Sequence, residues 1–415
     1  MKKRLLIVFD NFPFEVGEYS FVKTELEVLL EHFEISILSL ADSSEEPKIA
    51  IDKRIQLYHC IRKFGIREKI EIVIKYLLSK YGRSEIREIL KSGQNIVGRL
   101  YDSIVYFGSA DQVRKYVRRN HVLSGDELVY SYWFNANCLA FLMDKKIYPN
   151  LKVVSRIHRY DLYNEATAHN RQPFRKYMDA LTDKIFFVAD AGLQYYMEQW
   201  GNVENLENKY IIAPIGTPDN QYDKKSVFTA SNRPMHIVSC SNVIPLKRVS
   251  LIIDGLAQIS EMDIVWTHFG TGNLLDETKK YAEKLLSGKN NISYEFTGYV
   301  PVEEIMQFYE DNNIDCFLTT SSSEGCPVSI QEAMSYGIPI IGTAVGEIPN
   351  MIDGNGILLP ENPLPKDVKE AINQLYTSAE DEILNTREQS RALWEKQYNA
   401  MKNADMFAKE LEKVL

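Results

Sequence analysis

Two glutamates, Glu324 and Glu332, stand eight residues apart within Ser321–Ile348, SSSEGCPVSIQEAMSYGIPIIGTAVGEI. The β-rich run Asp315–Thr320 precedes them. Pro327 suits the first turn of a helix, where its missing N–H costs nothing. Gly337 suits the end of one. The spacing therefore predicts a helix from about Pro327 to Tyr336. Its first amides, near Val328 and Ser329, and the helix dipole form an anion site. At 1.5 Å rise per residue the two carboxylates lie on the order of 10 Å apart. That span fits a diphosphate with a hydroxyl-bearing sugar on either side, since carboxylates accept from hydroxyls.

Short apolar runs alternate with longer amphipathic segments, the signature of parallel α/β architecture. Strands are expected at Leu5–Asp10, Ile35–Leu40, Ile55–His59, Leu128–Trp133, Val153–His158, Ile185–Ala189 and Tyr210–Pro214. A second series is expected at His236–Cys240, Ile264–Phe269, Ile292–Phe296, Cys316–Thr320, Ile338–Gly342 and Gly356–Leu359. Ser20–Glu31 and Asp190–Trp200 are among the helices expected between them. The polar stretch 217–234 reads as a linker. It separates a first domain, residues 1–216, from a second, residues 235–390. Two such domains in tandem would face each other across a cleft and bind ligands at the carboxyl ends of their strands. Residues 391–415 read as a closing helical tail anchored by Trp394 and Phe407.

Residues 61 to about 125 break the rhythm with an almost wholly helical pattern. Between Ile61 and Arg119 stand fourteen Lys/Arg against six Asp/Glu, while the whole chain carries −9. Ile66, Ile70, Val73, Ile74, Leu77, Leu78 and Tyr81 form one apolar stripe. The simpler expectation packs that stripe on the first domain and leaves a solvated basic face. The alternative is a basic surface for anionic lipid or a lipid-linked phosphate.

The chain has 415 residues, 45% apolar and 25% charged, as in soluble globular proteins. Its acidic balance makes nucleic acid a poor partner. No run approaches the roughly 18 apolar residues of a spanning helix. The opening MKKRLLIVFDNF has too short an apolar core for a signal peptide, and Asp10 and Asn11 interrupt it. Cys60, Cys138, Cys240, Cys316 and Cys326 form no C-x-x-C pair, which fits a reducing, cytoplasmic setting. Asp-x-Asp is absent, so no metal is expected and no cofactor is implied. A leaving diphosphate would then draw positive potential from the helix terminus at Val328 and from Lys247. The Walker loop G-x4-G-K-[ST] is also absent, which disfavours ATP hydrolysis.

The motif E-G-x-P-x5-E-A-M-x3-G-I-P, followed by G-E-I-P, resembles the retaining GT-B glycosyltransferases of family 4, glycosyl transferases group 1, of the capsular and exopolysaccharide type. The resemblance covers most of the second domain. It implies donor contacts from Glu324, Gly325, Cys326, Pro327, Val328, Ser329 and Glu332. Ser239–Arg248, SCSNVIPLKR, resembles the loop that grips the donor diphosphate with an Arg and a Lys. Lys247 matches the Lys, Asn242 stands where the Arg belongs, and Arg248 is a candidate to compensate. HFGTG, residues 268–272, resembles the family's glycine turn, and TGYV, with Gly298, Tyr299 and Val300, the segment that edges the base. In the first domain Gly17 in VGEYSF resembles the glycine loop. SRIHRYDLY resembles the H-x-x-D segment, which would place His158 near the donor hexose and Arg156 or Asp161 near the acceptor. The tail with Trp394 and Phe407 resembles the GT-B helix that crosses back to the first domain.

The resemblance implies a retaining transfer of a hexosyl-type sugar from an NDP-sugar, with UDP favoured. The acceptor would be a glycan, glycolipid or lipid-linked molecule in cell-surface polysaccharide biosynthesis. Glu324, His158 and Lys247 would serve the reaction at the inner face of the cell membrane. Two alternatives share the fold: a non-catalytic partner protein, and an NDP-sugar epimerase or phosphorylase.

Overall fold

A computed structural model describes residues 2–15, 17–43, 46–62, 64–201, 206–220 and 233–415. Residues 221–232 of the expected linker lie outside the described residues. The chain divides into two compact units, Met1–Ile215 with Met401–Leu415, and Gly216–Ala400.

Continuous apolar runs make the first sheet. In β1 (Lys3–Phe9) every residue from Leu5 to Phe9 is buried, as a central parallel strand covered on both faces must be. It is joined by β2 (Phe33–Ser39), β3 (Gln56–His59), β4 (Leu128–Ser131), β5 (Lys152–Ile157), β6 (Lys184–Phe187) and β7 (Tyr210–Ile212). The order is β3-β2-β1-β4-β5-β6-β7, all parallel. The strand order reverses at β1 and β4.

Side-chain alternation along β1 feeds two cores. Leu6 and Val8 face one apolar layer; Leu5, Ile7 and Phe9 face the other. Helix α1 (Tyr19–His32) covers the second layer through Val22, Leu26 and Leu29. The carboxyl-terminal helix Ala400–Glu412 joins it there, burying Phe407, Ala408 and Leu411. His32 of α1 meets Glu412 of that helix at 3.0 Å.

The other layer is covered partly by the helical segment, which comprises α2 (Ile66–Leu78), α3 (Lys80–Ser92) and α4 (Ile96–Arg119). Phe107, Ala110, Val113 and Val117 of α4 enter the core. The expected packing of the α2 stripe is corrected here. Helix α2 packs instead through Ile72 and Tyr76, with the Tyr76 hydroxyl 2.8 Å from Ser103 of α4. Gly108 of α4 lets Ile72 approach, since a Cβ there would stand 3.0 Å from it. Six residues of the stripe, Ile66 to Leu78, are exposed. Only Tyr81 turns inward, against Tyr177.

The second sheet contains β8 (Met235–Cys240), β9 (Ile264–Phe269), β10 (Ile292–Gly298), β11 (Cys316–Thr319), β12 (Ile340–Thr343) and β13 (Gly356–Leu359). Its order is β10-β9-β8-β11-β12-β13, again parallel. The reversal falls at β8 and β11. Helix Glu380–Gln397 stays in this unit: Trp394 is buried and donates to Thr217 Oγ1 at 2.7 Å. Trp394, grouped with the returning tail in the sequence, is therefore part of the second core. Phe407 alone of that pair packs on the first sheet.

Phe407→Ala should cost about 3 kcal/mol through lost transfer energy and the cavity left behind. Urea unfolding followed by hydrogen exchange at β4 and β5 checks this, and an unchanged exchange rate there would contradict it.

Candidate active site

The reversal at β8 and β11 sets the ends of these strands side by side, with Val238 opposite Phe317. From β8 the chain enters a loop that closes with the 3-10 turn Pro245–Lys247. From β11 it enters Thr320–Pro327 and then the helix Val328–Ser335. This helix starts one residue later than the sequence suggested, with Pro327 at its N-cap. It stops as expected. Gly337, at φ +62°, donates to Met334, and Ile338 donates to Ala333, which closes the helix with a left-handed glycine.

The two loops are bonded to each other. Ser322 donates its backbone N–H to Leu246 O at 2.8 Å, and Thr320 Oγ1 donates to Arg248 O at 2.9 Å. Arg248 takes a left-handed conformation, φ +47°. Its guanidinium donates to the carbonyls of Thr320 (2.6 Å), Ser321 (2.9 Å) and Glu361 (3.0 Å). Behind the turn, Glu347 N–H bonds Gly325 O at 3.0 Å. Gly346, at φ +55°, lies so close that a Cβ would stand 1.9 Å from Glu324 O. Only glycine fits both the conformation and the contact.

This framework brings Lys247 to Glu324, with Nζ 2.5 Å from Oε1 and side-chain exposures of 20% and 10%. Glu332 lies inside the helix beside Cys240 and Tyr309, and among the described residues its carboxylate has no hydrogen-bond or ion-pair partner. Burial raises its pKa to about 7. Cys326 accepts a hydrogen bond from Gln331 at 3.1 Å, and burial pushes its thiol up. Asn242 is exposed at the start of the lysine loop. Gly270 lets β9 approach that loop, since a Cβ would meet Ser241 O at 1.9 Å. Gly298, at φ +75°, accepts from Gly270 N–H at 2.8 Å and leaves Tyr299 exposed; Val300 packs against the core.

In the first unit, polar groups collect at the carboxyl ends of β1, β4 and β5. His158 caps the short helix Arg159–Leu162. Its Nε2 lies 3.2 Å from Tyr132 O, a carbonyl that can only accept, so Nε2 carries the proton. Burial, then the Arg156 charge, lowers the His158 pKa to about 3, leaving a neutral ring.

Arg156 and Asp161, expected near the acceptor, face the interior. Arg156 is 1% exposed, paired with Glu25 of α1, and its guanidinium lies 4.1 Å from the Phe407 ring centre. The carboxylate of Asp161 accepts from the backbone N–H of His158 (2.6 Å) and of Phe134 (2.5 Å). Burial raises its pKa to about 7 against the lowering effect of Arg175. Both side chains hold the scaffold around His158. Gly17 lies on an exposed turn where a Cβ would meet nothing within 4 Å.

Sequence reasoning missed the cluster around Asp10. Its carboxylate accepts from the side-chain amides of Asn135 and Asn137, and burial, then Glu18, raises its pKa. Glu18 accepts from the backbone of Asn11 (2.8 Å) and Phe12 (2.6 Å) and from Trp133 Nε1 (2.5 Å). The available signals were Asp10 at the end of a buried strand and Asn-x-Asn after another.

Residues 221–392 match the family model described as Glycosyl transferases group 1. The second unit is a group 1 glycosyltransferase domain. An uncharacterized glycosyltransferase of Methanocaldococcus jannaschii is 26% identical over 259 residues, 62% of this chain and 67% of that protein. The GtfA subunit of the UDP-N-acetylglucosamine–peptide N-acetylglucosaminyltransferase of Streptococcus pneumoniae is 21% identical over 332 residues, 77% of this chain and 62% of that protein. The matches thus span about two thirds of the length of these relatives. Among solved structures, the apo lipopolysaccharide outer core galactosyltransferase WaaB matches with a TM-score of 0.68 at 14% identity, covering 100% of both chains. Two parallel Rossmann-like sheets in series, with a carboxyl-terminal helix back on the first, give this glycosyltransferase chain the GT-B fold.

Within the group 1 domain, Glu332 offers a direct test of its surroundings. Its folded pKa, about 7, lies above the ordinary value of 4.5. The folded state therefore binds the extra proton between these values, and stability falls as pH rises through that window. His158 works in the opposite sense, since its depressed pKa makes stability rise from about pH 3 to 6.5. The informative quantity is the difference between wild type and Glu332→Gln. Urea unfolding from pH 4 to 8 should show wild type losing stability relative to the variant as pH rises. Parallel curves would mean that Glu332 is not buried as described.

Proposed function

We propose that the chain transfers a hexosyl-type sugar, with retention of configuration, from an NDP-sugar to a glycan, glycolipid or lipid-linked acceptor. The donor we favour is a UDP-sugar and the setting is cell-surface polysaccharide biosynthesis in the cytoplasm. The observation that carries this reading is the Lys247–Glu324 pair beside the amino end of helix Val328–Ser335.

In the empty site Glu324 neutralises Lys247. An incoming diphosphate offers Lys247 a better partner and the first amides of the helix a second anchor. Glu324 is then released to accept from hydroxyls of the transferred sugar. Glu332, ionised on donor binding, accepts from the ribose hydroxyls. Gly325, Cys326, Pro327, Val328 and Ser329 supply the turn and its amides, and Gly298, Tyr299 and Val300 edge the base. Asn242 contributes a neutral polar group where a second cation would otherwise stand. Arg248 acts as a positioning residue, because its donors are spent on three backbone carbonyls.

Lys247 and the helix amides stabilise the diphosphate as the glycosidic bond breaks, so no divalent cation is needed. The first unit supplies the acceptor site. The neutral imidazole of His158 presents Nδ1, Arg156 and Asp161 hold its surroundings, and Gly17 stands in the loop that resembles the family's glycine loop. The relatives support the reading through their names, one a UDP-N-acetylglucosamine enzyme and one a lipopolysaccharide galactosyltransferase.

Glu324→Ala and Lys247→Ala should each lower kcat by roughly 10²-fold or more, the cost of removing a group aimed at developing charge. Transfer assays in EDTA, with the product anomer read by NMR, check this. Inversion of configuration, or full activity in both variants, would overturn the proposal. Turnover without any acceptor would favour an epimerase instead.

A further inference from the structure

We propose that the outer faces of α2 and α4 form a docking surface for an anionic lipid bilayer. The α2 stripe recurs at i, i+4, i+7, i+8, i+11 and i+12, one continuous band at 100° per residue. Ile66 is 79% exposed and Leu78 70%, although α2 has a separate packing face in Ile72 and Tyr76. The helix is thus apolar on two sides, and only one is used within the first unit. Helix α4 adds Val97, Tyr101 and Val105 at i, i+4 and i+8, all exposed. A water-facing band of this size marks a binding surface.

Charge identifies the occupant. Part of the segment's basic charge is already paired: Lys75 and Lys115 with Glu71 and Asp111, and Arg114 and Arg118 with Asp144. Arg67, within the α2 band between Ile74 and Leu78, and Lys69, beside its opposite edge, have no side-chain ion pair among the described residues. Arg83 and Arg87 on the exposed side of α3 are likewise unpaired. Residues 61–119 carry fourteen Lys/Arg and six Asp/Glu in a chain of net charge −9. Apolar side chains bordered by free cations match a bilayer interface, where aliphatic groups enter the acyl boundary and long basic chains reach the headgroups. A symmetric pairing of this face with a second copy would oppose like charges. No helix among the described residues is long and apolar enough to cross a membrane, so the contact is interfacial. This inference goes beyond the transferase reading and does not depend on it.

The test is cosedimentation of the full chain with vesicles of phosphatidylcholine alone or mixed with phosphatidylglycerol, at low and high salt. Wild type should bind the mixed vesicles, release in salt and ignore phosphatidylcholine. Ile70→Glu/Ile74→Glu and Arg67→Glu/Lys69→Glu should each weaken binding by about tenfold or more, with unchanged circular dichroism. These side chains are exposed, so folding should survive. No binding by wild type at low salt, or equal binding by both variants, would overturn the proposal. So would a dimer on size exclusion that the α2 variant dissociates in the absence of any vesicle binding. Because the readout needs neither donor nor acceptor, its failure and failure of the transferase reading are distinguishable.

Discussion

The ion pair between Lys247 and Glu324 is the interaction on which the second unit's site depends. A half-buried pair of this kind requires good geometry, since both charges lose much of their hydration. The geometry comes from the backbone. Two loops leave neighbouring strands at the point where strand order reverses, and Arg248 ties them together through three carbonyls. Gly346 lets a third loop press against the back of Glu324. The left-handed conformation at Arg248 is uncommon for a residue with a side chain, and such backbone clusters at functional sites. The site thus holds charge that a diphosphate can redistribute without the framework having to form anew.

The first unit rests on a different constraint. The helix Ala400–Glu412 covers the sheet beside α1, and Arg156 is clamped between Glu25 and the Phe407 ring. The chain leaves this unit near residue 215 and re-enters near 401, so its core is completed only when the last helix docks. The carboxylates of Asp161, Glu18 and Asp10 are spent on backbone, side-chain amide and indole donors at the carboxyl ends of the strands. Their work is to fix the loops around His158 and Trp133.

Much of this was legible because its signals are local. Buried parallel strands read as unbroken apolar runs, which is why Leu5–Phe9 and Cys316–Thr319 could be placed from sequence. The turn, helix and stop from Glu324 to Gly337 follow from Pro and Gly chemistry. The α2 band was visible too, but periodicity cannot distinguish a face that meets protein from one that meets water. That choice was made by Gly108, some thirty-six residues from Ile72, which leaves room for the other face. Arg156 and Asp161 escaped for a similar reason. Their partners, Glu25, Phe407 and the Phe134 amide, are remote in sequence, so only the fold shows that both side chains are buried and engaged within the first unit. Arg248 looked like a spare cation beside Lys247 until its three carbonyls were in place.

The central claim is that the second unit grips a nucleotide-sugar through Lys247 and the carboxylates without a metal. Calorimetric titration of UDP-, GDP- and ADP-sugars in EDTA, on wild type, Lys247→Ala and Glu332→Ala, tests it most directly. The account predicts that wild type binds one donor class and that each variant loses at least about tenfold in affinity, the scale of one charge-assisted contact. Equal affinity in all three proteins, or binding that appears only when a divalent cation is added, would contradict it.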